Sequence, residues 1–216
     1  MTMKVYFHPL SSYCWKVLIA LYEKDVAFEA VVVNLGDPAE SAAFTKLSPM
    51  RKMPSIVLSG DIANESSVQI EWLDQNAGGA KLIPADPRQA LDVRYWDRFF
   101  DLYVHNVMQR IVGDRLRPTD KRDAYGVAES KTQLRVALDV VEKHMTGRAV
   151  ASGDAFSMAD CSAAPALFYA NKVLPFEATH PNTAAYLKRL SERPAFARVL
   201  KEAEPFFQYF PTEDAA

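Results

Sequence analysis

Hydrophobic and polar positions change period several times along this 216-residue chain, and the changes mark out its elements. Met3, Val5 and Phe7 alternate with Lys4 and Tyr6, the period of a strand with one buried face. Pro9 stops that strand because it has no N–H to donate. Cys14, Val17, Leu18 and Leu21 then fall at i, i+3, i+4 and i+7, one stripe of a helix. Ser11 or Ser12 is its N-cap. Residues 28–33 are apolar apart from Glu29 and read as a strand buried on both faces. Turn chemistry at residues 34–38 leads to a short helix over residues 39–47, with Phe44 and Leu47 as its apolar contacts. Met53-Pro54 opens a strand at residues 55–58, Ser59-Gly60-Asp61 turns the chain, and Ile62-Ala63 returns antiparallel. Residues 64–75 are helical, with Val68 and Trp72 four apart and Ile70 and Leu73 beside them.

The chain then changes character. Gly78-Gly79, Pro84, Asp86 and Pro87 break any regular element, so residues 80–87 read as a linker. Beyond it no strand pattern competes with the helical ones. Leu91, Tyr95, Phe99, Leu102 and Asn106 predict a long helix over residues 88–115, and Leu134, Ala137, Leu138, Val141 and Met145 stripe the next. Ser157-Met158-Ala159-Asp160 is a capping box with Asp in place of the commoner Glu. Pro165 inside that helix predicts a kink or a shifted register. Pro181 and Pro194 each open a helix, over residues 181–190 and 194–204, at the turn where a missing N–H costs nothing. The aromatic tail of residues 205–211 is expected to fold back on the body, since an apolar segment of that kind is sticky when loose. The expected architecture is an α/β unit over residues 1–79, the linker, and an all-α unit over residues 88–216.

Composition narrows the function by exclusion. Hydrophobic residues at 49% and charged ones at 24% suit a globular chain long enough for a sizeable core. A balance of 25 basic against 27 acidic residues argues against nucleic acid or an anionic membrane as partner. No apolar run approaches a membrane span, and Met1 leads straight into a strand pattern with no targeting segment. Cys14 and Cys161 make no disulfide framework, so a reducing cytoplasm is the expected compartment. His8, His105, His144 and His180 lack metal-ligand spacing, and no metal is expected. There is neither a Gly-rich phosphate loop nor a Gly-x-Ser-x-Gly elbow.

What remains is the run Ser11-Ser12-Tyr13-Cys14-Trp15-Lys16-Val17, where the first strand gives way to the first helix. A helix start carries partial positive charge and free N–H groups, so it can hold an anion such as a thiolate. The run resembles the opening of a glutathione transferase, and the zeta class of that family shows Ser-Ser-Cys-Ser-Trp-Arg-Val. Leu18-Ile19-Ala20-Leu21, Lys24, the capping box and Glu192-Arg193-Pro194-Ala195-Phe196 are also similar to that family, so the likeness covers nearly the whole chain. It implies a thioredoxin-like N-terminal domain, an all-helical C-terminal domain, glutathione as co-substrate, a role in detoxification and a homodimer. It also implies conjugation to an apolar electrophile, with cis-trans isomerisation of a maleyl-type diacid as the alternative. A non-catalytic glutathione or ligand carrier and a thiol reductase working through Cys14 are the other readings.

The resemblance assigns residues as well. Ser11 aligns with the hydroxyl that stabilises the thiolate, and Ser12 lies beside it in the same site. Tyr6, at the end of the first strand, is the competitor, since other classes use a tyrosine there. Cys14 completes Ser-x-x-Cys, a variant of the thiol-disulfide motif, and otherwise reads as a buried cysteine of the helix stripe. Met53-Pro54 matches the family's cis-proline, which frees the preceding backbone to pair with the cysteinyl unit. Glu65-Ser66 matches the acidic-Ser pair for the γ-glutamyl group, with the carboxylate at a helix N-terminus. Lys52 offers charge to the glycyl carboxylate. The acceptor pocket is expected on one face of the long helix, at Tyr103, Asn106, Val107 and Arg110, with His105 as a weaker acid–base candidate.

Overall fold

In the computed structural model, which describes residues 3–213, four short strands form one mixed sheet in the order β2-β1-β3-β4. β1 (Lys4–Phe7) lies parallel to β2 (Glu29–Val32) and antiparallel to β3 (Ser55–Leu58), which pairs antiparallel with β4 (Asp61–Ala63). Ser59 and Gly60 both take positive φ, the turn geometry whose twist suits a two-residue hairpin. α1 (Ser12–Glu23) joins β1 to β2, α2 (Pro38–Thr45) leads toward β3, and α3 (Ser66–Asn76) follows β4. The order of elements is the one read from the sequence, and it is the thioredoxin-like α/β arrangement. The expectations for residues 1–2 and 214–216 lie outside the described residues.

A helical unit follows. α4 (Pro87–Phe99), a π-helical segment at Phe100–His105 and α5 (Asn106–Arg115) run on without a break. α6 (Ala124–His144), α7 (Met158–Val173), α8 (Pro181–Glu192) and α9 (Pro194–Ala203) complete it, and a 3₁₀ turn at Glu204–Tyr209 carries the chain into the tail. The capping box forms, with the Ser157 backbone N–H donating to Asp160 Oδ2 at 2.9 Å. α7 continues as a helix through Pro165.

Four expectations need correction, each for a reason of packing. β2 is not buried on both faces. It is an edge strand paired on one side only, and Val32 is 52% exposed. α1 is not a one-sided amphipathic helix: Trp15, Lys16, Ile19 and Ala20 are buried along with the predicted stripe, because α3, α7 and α9 all pack against it. In α3, Ile70 and Leu73 face the core while Val68 is exposed. On the long helix the buried face is Val93, Trp96, Phe100, Val104, Val107, Met108 and Ile111, whereas Leu91, Tyr95, Leu102 and Tyr103 point to solvent.

Two anchors hold α1 between the units. Trp15 packs among Phe168, Tyr169, Phe196 and Phe207, with ring centroids 4.7–6.1 Å away. Phe210 stacks on Tyr169 at 5.4 Å, so the aromatic tail folds back as expected. At the next position of α1, Lys16 is fully buried and meets Asp97 at 2.6 Å and Asp101 at 2.8 Å. Ser67 accepts from Lys16 Nζ at 2.9 Å and donates to Asp97 at 2.7 Å, and Ser162 donates to Asp101 at 2.8 Å. One ionic cluster thus ties α1, the start of α3, α4 with the π segment, and α7. Burial works against the charge of Asp101, but Lys16 and His105 together more than offset it and hold that carboxyl below the usual range, whereas at Asp97 burial prevails and holds the carboxyl above it.

Candidate functional site

Two cavities meet where β1 gives way to α1. The Ser11 N–H donates to the His8 carbonyl at 3.0 Å, closing the turn that brings the chain into the helix. Ser11, not Ser12, is the N-cap: its Oγ accepts the Cys14 N–H at 3.4 Å, while Ser12 Oγ accepts from Gln109 Nε2 at 3.2 Å. The cap occupies only an acceptor lone pair of Ser11. A serine hydroxyl carries one donor and two lone pairs, so the Ser11 proton is still available to donate. Capping and thiolate stabilisation are therefore compatible without moving the cap to Ser12.

The first cavity is a cleft of about 530 Å³ between the two units. Ser11, Lys52, Met53, Pro54, Glu65 and Ser66 all line it, which brings together nearly all of the sequence-derived glutathione residues. The Met53–Pro54 peptide is cis. Glu65 precedes α3 at φ 68°, a conformation uncommon for a residue with a Cβ, and no side chain caps that helix, so its first N–H groups are open toward the cleft. Asn64 fixes the neighbouring loop, accepting from Ser55 Oγ at 2.5 Å and donating to the Leu47 carbonyl at 3.1 Å. Arg51, Lys52 and Arg98 supply positive charge here, and Glu65 and Asp101 negative charge.

The second cavity, about 330 Å³, is mostly apolar. Leu10, Met108, Val112, Leu116, Tyr169 and Phe210 form its walls, with His8, Ser12, Gln109 and Tyr209 as polar groups. Gln109 lines both cavities, so they adjoin at the head of α1. No Lys or Arg lines the apolar cavity among the described residues.

Several expected residues lie elsewhere. Tyr6 packs against Phe44 of α2, ring centroids 6.3 Å apart, and lines neither cavity. The expected acceptor face is rotated: Tyr103 is 56% exposed, Val107 is core, and Arg110 bonds Gln133 at 3.2 Å, leaving only Asn106 on the cleft. His105 is fully buried against the Tyr13 ring, centroids 4.2 Å apart. Sequence reasoning missed Tyr13, whose hydroxyl donates to Asn106 Oδ1 at 2.8 Å across the cleft, along with Arg98, Asp101 and Gln109. It also missed the stripe Gln109, Val112, Gly113 and Leu116, whose i, i+3, i+4, i+7 spacing with a glycine inside was a readable sign of a cavity wall.

Cys14 is fully buried, and desolvation pushes its thiol up to about 12. A thiolate-specific reagent at pH 8 is expected to leave both cysteines of the native protein untouched and to titrate two thiols after unfolding in urea. Rapid labelling of the native protein would restore the reductase reading. No cluster of three or more potential metal-ligating side chains occurs among the described residues. No helix there is long and apolar enough to cross a membrane.

A thioredoxin-like sheet and a helical unit meet at a polar cleft at the head of the first helix. The family descriptions "Glutathione S-transferase, N-terminal domain" and "Glutathione S-transferase, C-terminal domain" match residues 5–81 and 99–194. Glutathione S-transferase 3 of Zea mays is 30% identical over 207 residues, covering 92% of this chain and 93% of the relative. A probable maleylacetoacetate isomerase of Caenorhabditis elegans is 27% identical, covering 93% and 94%. A glutathione S-transferase of Methylobacterium radiotolerans, solved in complex with glutathione sulfonate, superposes with a TM-score of 0.82 at 28% identity, covering 92% and 94%. The chain belongs to the glutathione S-transferase family.

Proposed function

We propose that the protein is a glutathione transferase that stabilises the glutathione thiolate at Ser11 and presents it to a neutral electrophile in the apolar cavity. The observation that carries this reading is the position of Ser11, which caps α1 and lines the charged cleft, while the next residue, Ser12, lines the apolar pocket. A free thiol of this kind has a pKa near 8.5, so at neutral pH only a minority is the nucleophilic thiolate. Donation from Ser11 Oγ and the positive end of α1 both favour the charged form.

The charges of the cleft complement the tripeptide. Lys52 meets the glycyl carboxylate, and the Met53 backbone pairs with the cysteinyl unit. The γ-glutamyl carboxylate sits at the open N-terminus of α3 with Ser66, and Glu65 meets its ammonium. Ser12 acts at one remove, holding Gln109 at the boundary. Catalysis comes from thiolate stabilisation and from holding both reactants together. The exposed apolar side chains of α4 and the π segment, Leu91, Tyr95, Leu102 and Tyr103, support pairing with a second copy of the chain. Detoxification in the cytoplasm accords with such an activity.

Isomerisation of a maleyl-type diacid is the second reading, favoured by the likeness to the probable maleylacetoacetate isomerase. The uncharged apolar cavity speaks against it. A dicarboxylate there would leave water without a cation to meet it, at several kcal/mol per charge, so kcat/KM for a neutral chloronitroarene should exceed that for a maleyl diacid by at least about 1,000-fold. Diacid turnover with no arene conjugation would establish the isomerase instead. Glutathione uptake with no turnover across both substrates would establish a carrier.

A further inference from the structure

His8 ends the turn that Ser11 begins to leave, and its surroundings suit it to chemistry. Its carbonyl accepts the Ser11 N–H at 3.0 Å, so both residues belong to one tight turn, with Ser11 on the polar cleft and His8 on the apolar cavity beside it. The ring is half-buried and lines the apolar cavity. Its Nδ1 accepts the Leu10 backbone N–H at 3.2 Å. An imidazole nitrogen that accepts carries no proton, so the ring proton resides on Nε2. That leaves Nε2–H as a donor of fixed tautomer whose other nitrogen is tethered to the same turn.

The remaining polar groups of that cavity are less suited. Tyr169 spends its hydroxyl proton on the Leu10 carbonyl at 2.9 Å, Gln109 and Ser12 are bonded to each other, and Tyr209 is 70% exposed. When thiolate sulfur attacks carbon, the electron pair it brings displaces charge onto a carbonyl or nitro oxygen, or onto a departing halide. An apolar pocket solvates that charge poorly, and a preorganised donor aimed at it is worth most there.

We propose that His8 is a catalytic residue on the electrophile side, donating a hydrogen bond from neutral Nε2–H to the oxygen that gathers negative charge as the carbon–sulfur bond forms. The proposal rests on the transferase reading of the two cavities. No proton need leave the ring: in addition to an enone, sulfur bonds to the β-carbon, the C=C pair moves to give an enolate, and water supplies the proton that carbon finally takes. In aromatic substitution the ring regains its electrons as halide leaves. Burial holds the His8 imidazole below its ordinary pKa, which keeps the ring neutral at physiological pH.

The test is a comparison of His8→Phe and His8→Gln, the first keeping a ring and the second an N–H donor. Each is assayed with a chloronitroarene, an enone and an alkyl iodide, the last having no oxygen to receive the bond. His8→Phe is expected to lower kcat for the arene and the enone by roughly 10- to 100-fold, the lower part of what loss of such a donor costs. The alkyl iodide rate, the KM for glutathione and the ultraviolet absorbance of bound thiolate should stay at the unaltered enzyme's values, and His8→Gln should recover much of the loss. Equal losses for all three electrophiles, or no loss for any, would overturn the role. Failure of the unaltered enzyme to turn over any of them would instead remove the transferase reading beneath it, and the two results are read from different samples.

Discussion

Ser11→Ala is expected to lower kcat/KM for conjugation by about 100- to 1,000-fold, the range seen when one donor to a developing or stabilised anion is removed. Two effects are mixed in that variant, because the same oxygen caps α1 through the Cys14 N–H. Loss of the cap alone costs about 0.5–2 kcal/mol of stability. Ser11→Asp separates them. Aspartate caps as well as serine does, but it is ionised, cannot donate, and repels a thiolate. The urea midpoint should therefore recover in Ser11→Asp while conjugation stays lost. Tyr6→Phe, whose ring lies against Phe44 outside both cavities, should change kcat/KM by less than about twofold, as for a surface substitution away from the site. Loss of conjugation in Tyr6→Phe with retention in Ser11→Ala would transfer the role to the tyrosine.

The largest expected effect on stability is at Lys16. Lys16→Met keeps most of the side chain's volume and removes the cation between Asp97 and Asp101. Two buried carboxylates then face each other with only the half-exposed Arg98 as a cation nearby, a loss of about 3–5 kcal/mol. Urea unfolding measures it, and its pH dependence supplies a signature that a mere packing defect lacks. In the unaltered protein Asp101 has a depressed pKa, so its contribution is present above the unfolded carboxylate value of about 3.9 and fades as pH falls below it. In the variant, burial and mutual repulsion raise both carboxyls, and the folded state takes up protons more readily than the unfolded chain. Its deficit should therefore shrink as pH is lowered from 7 toward 5. A deficit that is constant with pH would mean that Lys16 acts by shape and not by charge.

Because the cluster also reaches Ser67 in the first turn of α3 and Asp101 on the cleft wall, its loss should weaken glutathione binding too. The cluster joins α1 to the first turn of α3, the two helices whose starts border the cleft. Ser12 begins one and Ser66 the other.

How far the sequence could be read depended on the distance over which each feature is determined. Period-2 alternation at Met3–Val5–Phe7, the tight turn at Ser59-Gly60-Asp61 and the capping box at Ser157 are local, and all three were legible. The cleft residues Ser11, Met53, Pro54, Glu65 and Ser66 came from resemblance to a family, and they do line one cavity. Features set by packing were not legible. Residues 28–33 have the composition of a central strand, yet β2 is an edge, because strand order is decided by tertiary pairing. Lys16 reads as the polar side of an amphipathic helix until a second unit covers that side and brings two aspartates to meet it. The acceptor wall was misplaced for the same reason. The stripe Leu91–Tyr95–Phe99–Leu102 is as apolar as the buried one, and six residues of π-helix between α4 and α5 shift the register of everything after them. Gln109, Val112, Gly113 and Leu116 thereby reach the cavity in place of Tyr103, Val107 and Arg110.

The central claim is that the hydroxyl of Ser11 and the head of α1 together stabilise a thiolate. Ultraviolet titration of enzyme-bound glutathione, in the unaltered protein and in Ser11→Ala, tests it most directly. The account predicts that the bound thiol titrates at about 6 to 7, against about 8.5 free in solution, and that Ser11→Ala moves it back upward by one unit or more. A bound thiol that titrates where the free one does, or one lowered to the same extent without the Ser11 hydroxyl, would contradict it.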